Sequence, residues 1–402
     1  MENHQVNKIY KKEVLIFCPY YPPHVGGLES HAREFNEQIS LLDYNVTVFT
    51  PRLPINGLKE EEFQLDNGHG TITVYRFPAW EIVNNYPLPK FWLGEFWRMY
   101  WKLSNKRYDA IISRTRFFNT SILALAFAKM THTFWLHIEH GSDYVHLNNQ
   151  ITKLTAYVYD HSLGYLVFAM ANKVVANSEA SMEFSKKIYK KGEYTVIYRG
   201  VEKEKILSVV ADEKQKDKYP NKIIITYIGR LIDGKGVVKL LEALNSLSFC
   251  PIVCWIIGDG SQKVYLQEKA KEFGLEEKVI FFGEKSHAES LALLRSSDIF
   301  VNPSYSEGLP TSVIEAALLG KAIIATDVGG TKEIVVKEGG IRLVQPRDEK
   351  GLASAIAELA NDANLRKNMG EIAFMAVSDR FDWKESIRSY DEIFCQAFST
   401  KK

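Results

Sequence analysis

The chain is 402 residues long, with 46% hydrophobic and 25% charged residues, enough apolar material for two or three cored domains. Fifty Lys and Arg stand against 49 Asp and Glu, a formal charge of +1, which excludes a dedicated nucleic-acid binder and an acidic disordered chain. Four Cys are too few for a disulfide framework, and Cys250 and Cys254 read as buried thiols on a strand.

In chain order, the first apolar run is Val14–Cys18. It is too short for a secretory signal and is followed at once by Pro19, so it reads as a strand. The longest uncharged apolar stretch, Ser162–Ala171, is about half a membrane span. The expectation is a cytoplasmic chain, or one attached peripherally to the inner face of the membrane. A loop, residues 21–30, leads into a helix that begins near Leu28. Further strands are expected at Val46–Phe49, Ala110–Ser113, Phe134–Ile138 and Lys173–Asn177.

Between the strands at Val46–Phe49 and Ala110–Ser113 lies a helical pattern with Trp92, Trp97 and Trp101. At 100° per residue Trp92, Leu93, Phe96, Trp97, Met99, Tyr100, Trp101 and Leu103 share one broad arc, with Arg98, Lys102 and Lys106 opposite. Such a face suits a helix packed on a sheet or a peripheral membrane contact through residues 88–107.

Residues 201–222 are charge-rich and contain Pro220, as in a linker with a short helix. Beyond it strands are expected at Ile223–Ile228, Val253–Ile257, Val279–Phe282, Ile299–Val301 and Ala322–Ala325. Strands alternating with helices imply βαβ units and two doubly wound domains with parallel sheets.

Four segments could carry chemistry. Gly26-Gly27 follows the first strand and opens a helix, where backbone can approach an anion. In YIGRLIDGKG, residues 227–236, Arg230 and Lys235 place two cations beyond a strand end, as a diphosphate requires. The run matches a nucleoside-triphosphatase loop except that Gly236 stands where Mg²⁺ coordination needs Ser or Thr. In VNPSYSEGLPTSVIEAALLG, residues 301–320, Pro310 is expected at the first helical position and Gly320 at the stop. N–H groups at Leu309, Thr311 and Ser312 then face the loop, Glu307 lies at its tip, and Glu315 sits on an otherwise apolar helix face. Carboxylates beside a phosphate are tolerated where they grip hydroxyls, which a sugar nucleotide supplies. Finally, His140-Gly141 lies beyond a strand end. His132, His137, His140 and His146 fit no standard ligand spacing, and no Asp-x-Asp is present, so no metal is expected.

With these residues in place, the chain resembles the retaining glycosyltransferases of family 4. EGLPTSVIE carries Glu307 and Glu315 as E-x7-E, and YIGRLIDGKG, IIGDG, VIFFGE and DVGGTKEIV follow in the family's order. YPPHVGGLESHAREF, EHGSDY and ANKVVANSEA match its N-terminal half. The resemblance implies an α/β GT-B fold, two Rossmann-like domains facing across a cleft. Residues 1–200 would form the acceptor side, 201–382 the nucleotide-sugar side, and 383–402 a helix crossing back.

It further implies that Arg230 and Lys235 hold the diphosphate, Glu315 the ribose, and Glu307 the donor sugar. Gly308, Leu309, Pro310 and Thr311 would cradle phosphate and sugar, His140 would touch the transferred sugar, and the Gly26-Gly27 loop would close on the phosphate or shape the acceptor cavity. Gly283 and Glu284 would lie near the base. The family often has Asn-Gly after the strand at residues 195–198; here it is Arg199-Gly200, which adds a cation near the cleft. The implied partners are a nucleotide-sugar donor, with uridine diphosphate the commonest, and a glycan or lipid-linked acceptor, with no cofactor. A sugar-nucleotide epimerase or a non-catalytic sugar-nucleotide scaffold on the same fold are the alternatives.

Overall fold

The computed structural model describes residues 11–24, 26–53, 58–83, 86–144, 150–247 and 249–399. Two sheets divide the chain. The first is built from β1 (Lys12–Phe17), β2 (Tyr44–Arg52), β3 (Glu61–Asp66), β4 (Thr71–Val83), β5 (Tyr86–Pro89), β6 (Ala110–Arg114), β7 (Phe134–Glu139), β8 (Lys173–Ala176) and β9 (Tyr194–Val196). Its order is β3-β4-β2-β1-β6-β7-β8-β9, with β5 on β4. It is parallel except where β3 and β5 pair with β4. The second holds β10 (Ile223–Ile228), β11 (Ile252–Ile257), β12 (Val279–Gly283), β13 (Ile299–Asn302), β14 (Ala322–Thr326) and β15 (Arg342–Val344), ordered β12-β11-β10-β13-β14-β15. Every pairing in it is parallel.

The central strands read as unbroken apolar runs because helices cover both faces. Leu15 and Phe17 face one layer with Phe96, Tyr100 and Phe127, while Val14 and Ile16 face the other with Phe35, Ile39 and Phe394. β3, β4, β5 and β15 were not expected, and β9 ends two residues before the strand placed at residues 195–198 does. β3 alternates exposed Glu61 with half-buried Glu62 at a sheet edge, and β15 is three residues long, too short for a period to register.

The last helix, Trp383–Ser399, returns to the first sheet. Trp383, Ile387, Tyr390 and Phe394 repeat at helical spacing and join the core of that half. Asp391 accepts hydrogen bonds from Tyr44 Oη (2.6 Å) and Lys12 Nζ (3.2 Å). Thr400–Lys402 lie outside the described residues. The two connections between the halves run side by side: Val201 N donates to Phe381 O at 2.9 Å, and a Cβ on Gly200 would stand 2.4 Å from the Trp383 Cα.

Phe394 is fully buried, so Phe394→Ala is expected to cost about 3–5 kcal/mol. Urea unfolding monitored by tryptophan fluorescence should show a lower midpoint; an unchanged midpoint would mean that this helix does not brace the first sheet.

Candidate active site in the cleft

Parallel α/β sheets place ligands beyond the carboxyl ends of their strands. The loops after β10 and β13 meet there. Tyr305 N donates to Gly234 O at 2.8 Å, and Gly236 (φ +63°) allows the approach, since a Cβ would stand 2.1 Å from Pro303 O. This joins two charged residues that lie 72 positions apart in the chain: Lys235 Nζ lies 2.6 Å from Glu307 Oε1, which also accepts from Ser304 Oγ at 2.7 Å. Arg230 is exposed at the rim of the same strand end.

The helix after the Glu307 loop spans Thr311–Leu318. Pro310 is its N-cap (φ −72°, ψ 111°) rather than its first helical residue, and its carbonyl accepts the first helical bonds from Val313 and Ile314. The correction is one residue, and the reason for Pro is unchanged: no N–H is wasted there. The N–H groups of Thr311 and Ser312 have no intrahelical acceptor and face the loop with the positive end of the helix. Gly320 (φ +64°) follows the helix, as expected of a stop. Glu315 is buried in the second turn and pairs with His287 Nε2 at 2.6 Å. The hydrogen bond to Glu315 raises the His287 pKa.

The first half supplies the facing wall. Glu139 ends β7 fully buried, and its Oε1 accepts the N–H groups of His140 (2.9 Å) and Gly141 (2.7 Å). Arg116 lies 3.4 Å from Glu139 and donates from Nε and Nη2 to Asp160, both at 3.0 Å. Burial pushes the Glu139 carboxyl up, but Arg116, His137 and the Gly141 N–H outweigh it and hold it well below the usual carboxylate range. His140 Nε2 is buried with no hydrogen-bond partner among the described residues. Burial, then Arg114, lowers the His140 pKa to about 3, so the ring is neutral at physiological pH. Arg114 Nη1 donates to His31 Nδ1 at 2.8 Å; because Arg only donates, His31 is neutral with its proton on Nε2.

The two walls touch. A Cβ on Gly308 would stand 2.0 Å from His140 O. Ser142 Oγ donates to Glu307 O at 2.5 Å. Glu333, on the short helix Thr331–Ile334, accepts from Glu179 N (2.7 Å), Ala180 N (2.8 Å) and Tyr198 Oη (3.1 Å), so it caps the helix Glu179–Ile188 across the cleft. Arg199 is buried and bridges Thr311 Oγ1 (2.6 Å) to Glu34 Oε2 (3.2 Å). The cation expected near the cleft thus faces the helix that follows the Glu307 loop. A cavity of about 420 Å³ opens beside this seam, lined by residues that include Ser142, Tyr305, Gly329 and Arg347.

The structure therefore brings Lys235, Glu307, Gly308, Thr311, Arg199 and His140 into one seam. Gly26 and Gly27 stand at the start of the helix Gly27–Ser40, where His24 Nδ1 meets Glu29 at 2.5 Å. Gly283 (φ +70°) and exposed Glu284 lie at the end of β12, and no hydrogen bond or ion pair among the described residues ties either to the Glu307 loop. Among the described residues no three His, Cys, Asp or Glu side chains are grouped to hold a metal ion; His146 lies outside them. Glu139, Arg116, Asp160, His287, Glu34 and Glu333 were missed. Only Glu139 carried a signal, a lone acid at the end of an apolar strand.

The aromatic segment divides differently from the single arc expected. The helix begins at Gly94; Phe96, Met99, Tyr100 and Leu103 are buried, while Trp92, Trp97 and Trp101 are exposed. Arg98, Lys102 and Lys106 pair with Glu60, Glu61 and Glu13. Among the described residues no helix is long and apolar enough to cross a membrane.

Residues 25–205 match the model of Glycosyltransferase Family 4, and residues 210–374 match that of Glycosyl transferases group 1. A glycosyltransferase of Methanocaldococcus jannaschii, itself uncharacterized, is 35% identical over 392 residues, 96% of this chain and 98% of that one. The chain belongs to the family 4 glycosyltransferases. Among solved structures, sucrose-phosphate synthase from Thermosynechococcus elongatus superposes with a TM-score of 0.80 at 19% identity, covering 97% of this chain and all of that one. Anabaena HepE in complex with UDP-glucose gives 0.71 at 19% identity, over 96% and 99%. The fold of this glycosyltransferase is GT-B.

In the family 4 seam, Gly308→Ala should prop the walls apart. Turnover is expected to fall about 10²-fold, as for a reacting group displaced by ~1 Å, and solution scattering should show a larger radius of gyration. A variant as compact and active as the parent would mean that closure does not need this contact. Acid should also destabilise the protein. Buried His31, His137 and His140 have lowered pKa values, so below pH ~6.5 the unfolded chain binds more protons than the native one. Each then costs up to about 1.4 kcal/mol per pH unit until its folded pKa is reached, whereas the raised pKa of His287 acts only above pH ~6.5, where its stabilisation fades as pH rises. Tm measured from pH 6.5 down to 5 should fall; a flat profile would contradict neutral burial of these rings.

Proposed function

We propose that this glycosyltransferase moves a sugar, with retention at the anomeric carbon, from a UDP-sugar to a hydroxyl of a glycan or lipid-linked acceptor, in cell-surface polysaccharide or glycolipid synthesis on the cytoplasmic side of the membrane. One observation carries the reading: Glu307 is held by Lys235 and Ser304 in the loop whose Gly308 abuts the carbonyl of His140. UDP-glucose bound by HepE in the same fold supports the donor class.

Lys235 and Arg230 take the diphosphate, and the free N–H groups at Thr311 and Ser312 add the helix dipole. Lys235 leaves Glu307 for phosphate, and Glu307 turns to the sugar hydroxyls. Glu315 takes the ribose diol. Negative charge that grows on the diphosphate as the oxocarbenium-like centre develops is met by these cations and N–H groups, with no metal required. With Glu307 and Glu315 assigned to hydroxyls of the sugar and the ribose, neither serves as a covalent nucleophile in this reading, which favours front-face attack by the acceptor hydroxyl. Neutral His140 offers the sugar a hydrogen bond without adding a positive charge beside the oxocarbenium centre.

A thermal-shift screen of nucleotide sugars, followed by product NMR with the best donor, tests the reading: a retained anomeric configuration and no loss of rate in EDTA are expected. Lys235→Ala and Glu307→Ala should each lower kcat by about 10²–10³-fold while keeping the parent circular dichroism. Near-parental turnover in either would remove the site assignment. Donor consumed without any acceptor would point to an epimerase.

A further inference from the structure

The helix Gln150–Tyr159, the π-helical turn Asp160–Gly164 and the helix Tyr165–Met170 run on as one rod. Its inner side is conventional: Ala156, Asp160, Gly164, Val167 and Phe168 are buried. Its outer side is not. Leu154, Tyr157 and Val158 are 64%, 51% and 56% exposed, and Tyr165, Leu166 and Met170 carry the row onward. Large apolar residues repeating along one solvent-facing seam form a contiguous patch, which marks a docking surface rather than scattered exposure.

The charge beside the patch says what it meets. From Leu154 to Met170 the only acid is Asp160, and it is turned inward onto Arg116. The helix Glu179–Ile188 packs alongside, with the Tyr165 and Tyr189 rings 5.2 Å apart. Around Tyr189 stand Lys187, Lys190 and Lys191, all exposed and in no ion pair among the described residues. The nearby acids Glu183 and Glu193 are taken by Lys186 and Lys173. An apolar seam skirted by unpaired lysines is complementary to an anionic bilayer surface. The tryptophan helix at 94–104 lacks that skirt, because Glu60 and Glu61 neutralise Arg98 and Lys102.

We propose that the outer face of residues 154–170, with Lys187, Lys190 and Lys191, docks this enzyme on an anionic lipid bilayer, the rod lying in the interface plane. The proposal rests on the reading of a lipid-linked acceptor. The buried side of the rod then backs the catalytic wall: Asp160 holds Arg116, Arg116 lies against Glu139, and Glu139 fixes the His140-Gly141 turn. The docking surface and the catalytic wall are opposite sides of one packed layer.

Flotation of the full chain with phosphatidylcholine vesicles, with and without phosphatidylglycerol, tests it. The parent should float with the anionic vesicles, lose binding in high salt and not float with phosphatidylcholine alone. Leu154→Glu/Val158→Glu/Leu166→Glu and Lys187→Glu/Lys190→Glu/Lys191→Glu should each lower binding by at least ~10-fold, with parental Tm and parental donor affinity. Trp97→Glu/Trp101→Glu should float like the parent. A parent that stays in solution, or seam variants that float unchanged, would overturn the proposal. So would a concentration-dependent dimer abolished by Leu154→Glu, since the face would then join two copies. Transfer to a short-chain, water-soluble acceptor separates the two readings. Flotation without any transfer to lipid-linked acceptors would sink the acceptor assignment and leave the docking face; transfer without flotation would do the reverse.

Discussion

The carbonyl of His140 occupies the space that a side chain at residue 308 would need. Backbone therefore meets backbone across the cleft, and the rest of the site is arranged by that contact. It sets the Glu307 loop opposite the His140 turn, with Ser142 bonded to the Glu307 carbonyl. It also lets the helix Thr311–Leu318 present its N-terminus to the seam, where Arg199 ties Thr311 to Glu34 of the first half. Side-chain contacts of several ångströms would leave room for water between the walls. A glycine at the crossing lets the walls close to backbone contact there, and electrostatic stabilisation of a growing charge strengthens as water is displaced.

Charge follows the same logic. A net charge of +1 conceals a set of buried or half-buried acids, each held by specific partners. Glu307 has Lys235, Glu315 has His287, Glu139 and Asp160 share Arg116, and Glu333 faces two N–H groups at a helix start. A buried charge without a partner would cost several kcal/mol. The pairs at Glu307 and Glu315 lie at the cleft, where a ligand can take over one partner. The Glu139–Arg116–Asp160 group is sealed behind it and serves as a rigid backing for the His140 turn.

Much of the site was legible because its parts are local. EGLPTSVIE carries a loop, a capped helix start and two acids at fixed helical spacing, and no tertiary information is needed to read it. The expected strands were apolar and bounded by turns, most of them central, so they stood out from the helical pattern around them. Among the missed strands β3 and β15 are sheet edges whose side chains largely face water, whereas β4, thirteen residues between β3 and β2, lies inside the sheet. Pro310 was misplaced by one residue because cap and first turn favour the same residue types. The aromatic segment was read as one arc because periodicity reports a face, and cannot say that Glu60 and Glu61, about 40 residues away, discharge its basic side.

The sequence by itself determined the two-sheet α/β architecture and the acids and cations of the Lys235 and Glu307 loops, while the helix that returns at the end was implied by the family resemblance. Hydrophobic period, capping chemistry and short-range spacing act within about ten residues and can be read in one dimension. Only the tertiary structure decided that Lys235 meets Glu307, that Glu333 caps a helix of the other half, and that Asp160 stands behind His140. Those are contacts between strand ends that the parallel crossovers bring together from distant parts of the chain. Their partners are selected by what remains unpaired once the sheets are packed, and a single sequence does not record that remainder.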